Sequence, residues 1–218
     1  MRLPDSWSKA RVTLAIVAVT SLAWLVVAVL GKNAEAAVWG GFIPGRYPLI
    51  GQDAGFAPFW ITPLTATLVH ANVIHVLFNM VMLVFCGRPV EAVLGRVNFV
   101  IIYVLGAYGA AAAQYLADPS ALVPMVGASG AISAVLGAYA MLFGRNKVKV
   151  ANHRLALLLN ALWLLAAWIV LTLMLGVILQ GGMIGGTAMG LAAAAHIGGF
   201  LVGLILATPL LLFRYRKA

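Results

Sequence analysis

The chain has 218 residues, 64% of them apolar and only 9% charged, with 14 Lys and Arg against 5 Asp and Glu. Soluble domains carry about 25% charged residues, so this composition excludes a water-soluble globular protein and points to a polytopic membrane protein. The net charge of +9 then reflects topology and anionic lipid, and no nucleic-acid partner is needed to explain it.

A helix needs about 20 apolar residues to cross the hydrocarbon core. Segments of that order read as 12–30, 64–86, 97–117, 126–144, 155–179 and 187–213. The expected fold is an all-α, six-transmembrane helical bundle forming a single domain over 1–218. Behind the first span, Ala34-Glu35-Ala36 has the small-x-small form of a signal cleavage site. Its apolar run is longer than the roughly 7–15 residues of a signal h-region, so an uncleaved helix is expected. Six spans place both termini and the connections 87–96 and 145–154 on one side, with 12 of the 14 basic residues; only Lys32 and Arg46 fall opposite. That split makes both termini cytoplasmic, and the inner membrane of a prokaryote is the simplest setting.

The stretch 31–63 between the first two spans is long for a plain connection. Trp39, Phe42, Tyr47, Phe56, Phe59 and Trp60, broken by four prolines, suit the headgroup level of a bilayer. An interfacial structure is expected there, and a plain anchoring belt is the alternative. Between the third and fourth spans, Asp118-Pro119 and Pro124 lead into Gly127-Ala128-Ser129-Gly130. The fourth span then reaches Arg145 within a length shorter than the bilayer core. Residues 118–128 should therefore dip below the surface, where irregular backbone survives only in protein or beside a water-filled cavity.

Polar side chains inside spans are candidates for function because each costs free energy unless paired or wetted. Here they are His70, His75, Asn79, Gln114, Asn160 and His196, with the hydroxyls of Ser129 and Ser133. Topology puts His70, His75, Asn79, Ser129 and His196 in the same outer half of the membrane. His75 and Asn79 are four apart and share a helix face; as uncharged donors they suit an oxyanion site better than a metal. Helix-bridging glue is the bland reading for that pair. No Cys/His spacing resembles a metal site, and the single cysteine, Cys86, excludes an intramolecular disulfide, so no cofactor is expected. Gly199 and Gly203 form a small-residue face beside His196, and Gly130, Ala134, Gly137 and Ala138 form another below Ser129. Bare backbones on both helices would let Ser129 approach His196. With no carboxylate in these spans to orient the histidine, a two-residue serine hydrolase remains.

These residues resemble those of the rhomboid intramembrane serine proteases. The matching motifs are His70-x4-His75-x3-Asn79, Glu91-x3-Gly95, Gly127-Ala128-Ser129-Gly130 and His196-x2-Gly199-x3-Gly203, in that order. The resemblance implies Ser129 as nucleophile and His196 as general base. It implies oxyanion stabilisation by His75, Asn79 and the Ser129 N–H, and a supporting role for His70. It also implies transmembrane-helix substrates, a small residue before the cut, an active site opening to the extracytoplasmic side, and a gate formed by the fifth span and the loop over the site. Two positions depart from the family pattern. Trp60 is followed by Ile61 where Arg is frequent, and Ser133 stands where an aromatic residue often packs on the catalytic histidine. A catalytically silent, helix-binding relative is the main alternative; a transporter using the same cavity is a weaker one.

Overall fold

The computed structural model describes residues 10–49, 56–144, 153–179 and 186–216. Eight helices occur among them: α1 (Arg11–Val29), α2 (Asn33–Gly40), α3 (Thr62–Thr65), α4 (Val73–Leu94), α5 (Arg96–Ala117), α6 (Ser129–Phe143), α7 (His153–Leu179) and α8 (Gly186–Tyr215). The only strand-like pairing in the described residues is an isolated antiparallel bridge, Phe42 with Met125. Five helices are long and apolar enough to cross a bilayer: α1, α4, α5, Leu155–Met174 of α7 and Ala192–Tyr215 of α8.

Two boundaries differ from expectation. The second span, expected over 64–86, is the helix Val73–Leu94. Residues 62–68 form separate short turns, and Asn72 then takes an extended conformation and caps α4, its side chain accepting from His75 N at 2.9 Å. At the other end Pro89 does not stop the helix, as a membrane helix can re-satisfy the carbonyl that proline orphans. The expected connection 87–96 thus shrinks to Gly95, whose φ of 81° lies in the region that favours glycine. The Arg214 guanidinium packs there, donating to the α4 carbonyls of Val93 at 2.6 Å and Ala92 at 3.2 Å. A cation at a helix C-terminus also meets the favourable end of its dipole.

The other difference is α6. It has 15 residues, against the span 126–144 expected. At 1.5 Å per residue it measures about 22 Å, short of a hydrocarbon core of about 30 Å. Gly127 and Ala128 stay out of the helix because their N–H groups serve tertiary partners. Gly127 N donates to Ala66 O at 2.9 Å, and Ala128 N to His70 Nε2 at 3.3 Å.

Burial explains why α6 occupies the centre. Every residue from Gly130 to Ala138 is buried, so no face is left for lipid. Small residues let its neighbours close in. A Cβ on Gly106 of α5 would strike the Ala134 side chain, and one on Gly137 of α6 would strike the Phe200 carbonyl of α8. The helix α1, by contrast, lies on the outside of the bundle, with only Thr13 and Thr20 buried. Its anchor is Glu91, only 1% exposed, whose carboxylate accepts Val12 N at 2.9 Å, Thr13 N at 2.7 Å and Thr13 Oγ1 at 2.7 Å. Three donors and a helix N-terminus satisfy a charge that burial alone would make costly.

Candidate active site

Non-helical backbone between Asp118 and Ala128 must still find hydrogen-bond partners. It finds them in segments laid down earlier in the chain. Gly45 N donates to Ala121 O at 3.0 Å, and Phe42 and Met125 exchange N–H···O bonds of 3.1 and 2.8 Å. Together with Gly127 to Ala66 and Ala128 to His70, these bonds fix the approach to α6. Its first residue is Ser129, and the first bond within the helix runs from Ile132 N to Ala128 O at 2.9 Å. The N–H groups of Ser129, Gly130 and Ala131 precede that bond, so they form the electropositive end of the helix dipole.

Gly127 sits at φ 108°, where a side chain would be strained, and a Cβ there would lie 2.7 Å from His75 Cε1 and Nε2. The missing side chain thus seats the His75 ring directly on the backbone that leads to Ser129. Asn79, one turn further along α4, donates from Nδ2 to His75 O at 3.0 Å, while its Oδ1 is buried with no partner among the described residues. The His70 and His75 rings meet edge to face at 4.9 Å between centroids. His70 therefore lies outside the helix that carries His75 and Asn79: it packs on the His75 ring and accepts the Ala128 N–H just before Ser129.

On the other side of α6 stands α8. A Cβ on Gly199 would collide with the Gly130 carbonyl oxygen, and one on Gly203 with that of Ala134. The two backbones cross with nothing between them. Ser129 precedes Gly130 by one residue and His196 precedes Gly199 by three, so the crossing brings serine and histidine to neighbouring turns. No hydrogen bond joins Ser129 Oγ to His196 among the described residues. Of the other polar residues expected within spans, Gln114 ends α5 by accepting from Asp118 N, and Asn160 lies beside Gly144 at the far end of α6. Neither joins the cluster.

Two residues escaped the sequence reading, and both come from α7. Trp168, 2% exposed, sets its ring edge to face with His196 at 5.9 Å between centroids. Its Nε1 donates to Ser133 Oγ at 2.8 Å, and Ser133 donates in turn to Ser129 O at 2.7 Å. The ring missing from position 133 is thus replaced from a different helix, with the serine as its anchor. Thr172, one turn on, places Oγ1 3.5 Å from His196 Nδ1. A hydroxyl and an indole N–H inside an apolar span were the available signals. No group of three or more metal-ligating side chains occurs among the described residues.

Comparison with known proteins gives the lineage. Residues 58–213 match the family described as Rhomboid domain. The rhomboid protease GlpG of Haemophilus influenzae is 33% identical over 146 residues, covering 65% of this chain and 65% of that protein. The rhomboid protease GlpG of Pectobacterium atrosepticum is 28% identical over 142 residues, covering 64% of this chain and 45% of the relative. RHOMBOID-like protein 1 of Arabidopsis thaliana is 30% identical over 142 residues, 65% of this chain but 32% of its own length. The chain therefore spans less than two thirds of the length of these curated relatives. With five apolar helices of spanning length and a family match over residues 58–213, it is an integral, multi-pass membrane protein that belongs to the rhomboid family.

Proposed function

We propose that this chain is an intramembrane serine endopeptidase, hydrolysing peptide bonds in or near the transmembrane helices of other membrane proteins. The observation that supports the reading is the bare crossing of α6 and α8 at Gly130 and Gly199, the helices that carry Ser129 and His196. Ser129 Oγ attacks the scissile carbonyl carbon as His196 takes its proton. The oxyanion forms against the Ser129 N–H, with His75 and Asn79 as further donors. His196 then returns the proton to the leaving amine, and water, deprotonated by His196, hydrolyses the acyl-enzyme, after which His196 gives that proton back to Ser129 Oγ. Gly127 and His70 hold the backbone that presents Ser129, and Gly130, Gly199 and Gly203 set the helix spacing.

Six crossings follow if α6, too short alone, is completed by residues 118–128 descending from the outer surface. The placement of charge supports that orientation. Arg214 lies with the α4 C-terminus, beside the α4–α5 turn that holds Arg96, whereas Lys32 and Arg46 accompany segments tied to the approach to Ser129. Both termini are then cytoplasmic, in a prokaryotic inner membrane, and water reaches the site from the extracytoplasmic side. Residues 31–49 and 56–63 lie at that outer interface, and 50–55, the rest of the expected interfacial stretch, fall outside the described residues. The substrate is a helix that unwinds easily, with small residues near the cut.

Fluorophosphonate labelling of the purified protein in mild detergent tests the reading, with Ser129→Ala and His196→Ala as controls. Labelling that both substitutions abolish in folded protein supports it. A folded wild type that stays unlabelled in detergent and in liposomes refutes it. The second reading, a relative that binds helices without cutting them, draws support from the unmade Ser129–His196 hydrogen bond, and the same experiment decides between the two.

A further inference from the structure

A histidine can act as a base at one ring nitrogen only if the proton sits on the other. In three-part serine hydrolases a buried carboxylate accepts the Nδ1 proton and so selects the tautomer. The helices α6, α7 and α8 contain no Asp or Glu. Something else must do that work for His196, which is 5% exposed.

Thr172 has the required chemistry. Its hydroxyl carries one proton and two acceptor lone pairs. The proton is committed to its own helix, since Oγ1 lies 2.9 Å from Trp168 O and 3.0 Å from Ile169 O. Such back-bonding to the preceding turn leaves the lone pairs free to accept. Their neighbour is His196 Nδ1, 3.5 Å away. That distance is long for a formed bond, but catalytic hydrogen bonds in ligand-free sites commonly tighten as the reaction proceeds. The imidazole is restrained from a second direction by the Trp168 ring, itself tied through Ser133 to the carbonyl of Ser129. Ring, hydroxyl and nucleophile are thereby referenced to one another.

We propose that Thr172 is the tautomer-selecting positioning residue for His196: its Oγ1 accepts the Nδ1–H, leaving Nε2 as the base. Trp168 holds the plane of the ring while this happens. The inference rests on the proposed Ser129–His196 chemistry, and it adds a third member to that pair, a neutral one. As Ser129 gives up its proton, His196 becomes an imidazolium whose Nδ1–H the Thr172 oxygen stabilises. Thr172 keeps its own proton throughout, while Ser129 Oγ bonds to the carbonyl carbon, the C–N bond breaks, and the His196 proton leaves with the amine.

The test combines a spectrum and two variants. The chain holds 4 histidines, so 15N-histidine labelling gives a short spectrum, with His196 assigned by its disappearance in His196→Ala. A resting His196 protonated at Nδ1 and bare at Nε2 supports the proposal, and the opposite tautomer overturns it. Thr172→Val removes the hydroxyl at nearly constant shape. It should slow fluorophosphonate labelling about tenfold, the rate equivalent of one hydrogen bond. With a cleavable substrate the loss should fall on kcat and leave KM unchanged. Thr172→Ser keeps the hydroxyl and should stay within about threefold of wild type, about half of one bond's worth. Equal rates for wild type and Thr172→Val, or equal losses in Val and Ser, overturn the proposal. A wild type that does not label at all refutes the protease reading instead, and the tautomer is then still decided by the spectrum.

Discussion

Gly199→Ala is the substitution that most directly interrogates the α6–α8 crossing. The added methyl group would collide with the Gly130 carbonyl oxygen and lie 3.2 Å from Ser133 Cβ. A carbon sits comfortably about 3.3–3.6 Å from a carbonyl oxygen. The Gly130 contact is much closer than that, so α8 must withdraw by about 1 Å or rotate by an equivalent amount. Overpacking of this kind costs about 1–3 kcal/mol of stability. The larger effect is on chemistry, because a misplacement of about 1 Å between reacting groups can cost about 10²-fold in rate. His196 is one turn from the inserted methyl and moves with its helix. The assay is the second-order rate of fluorophosphonate labelling, read beside a thermal unfolding curve. Gly40→Ala is the control, since a Cβ there finds only ordinary contact, 3.5 Å from Val69 Cγ2. Labelling should fall by about two orders of magnitude in Gly199→Ala and remain unchanged in Gly40→Ala. Folded Gly199→Ala protein that labels at the wild-type rate would refute the argument that the bare crossing positions serine against histidine.

Three further predictions concern other parts of the molecule. Gly127→Ala should push the His75 ring off the approach to Ser129, and cleavage should fall by about 10²–10³-fold, as when an oxyanion donor is lost; kcat and KM measured on one substrate check this. Asn79→Ala should produce a loss of the same order, about 10²-fold or more, with thermal stability nearly kept because the removed amide bonds mainly its own helix. Glu91→Gln converts an acceptor of three hydrogen bonds into a weaker, half-matched one. Stability should drop by about 1.5–3 kcal/mol per charged hydrogen bond lost, while labelling of Ser129 in the folded fraction stays intact, since α1 lies on the outside of the bundle. Denaturant titration with labelling at each step separates the two effects.

The composition and hydropathy of the chain make its membrane class and most of its helices legible without coordinates. Boundaries failed where local chemistry outweighed hydropathy. Residues 64–72 are as apolar as a helix, yet the Asn72 cap and the turns before it start α4 later. Pro89 reads as a stop in water and is passed over here. The candidate cluster stood out in the sequence because its residues are polar where polarity is costly, and because the glycines on their helices recur at helical spacing. Trp168 and Thr172 were not, for a geometric reason. Their role depends on how α7 is rotated about its axis, and the sequence of α7 offers lipid-facing and inward-facing apolar residues of much the same kind. A serine at 133 shows that a ring is missing there without showing which helix supplies the replacement.

The order in which these parts occur along the chain has a consequence during synthesis. Chains are made from the N-terminus at about 5–20 residues per second, and early segments can organise before later ones exist. On the proposed reading, the oxyanion donors His75 and Asn79 emerge first, the nucleophile on α6 follows, and the base arrives on α8, the last of the described helices. Until α8 threads its glycines against α6, the nascent protein holds a serine with no partner to activate it. On that reading, a protease that lives among transmembrane helices stays harmless to its neighbours, and to its own unfinished chain, until α8 has been made.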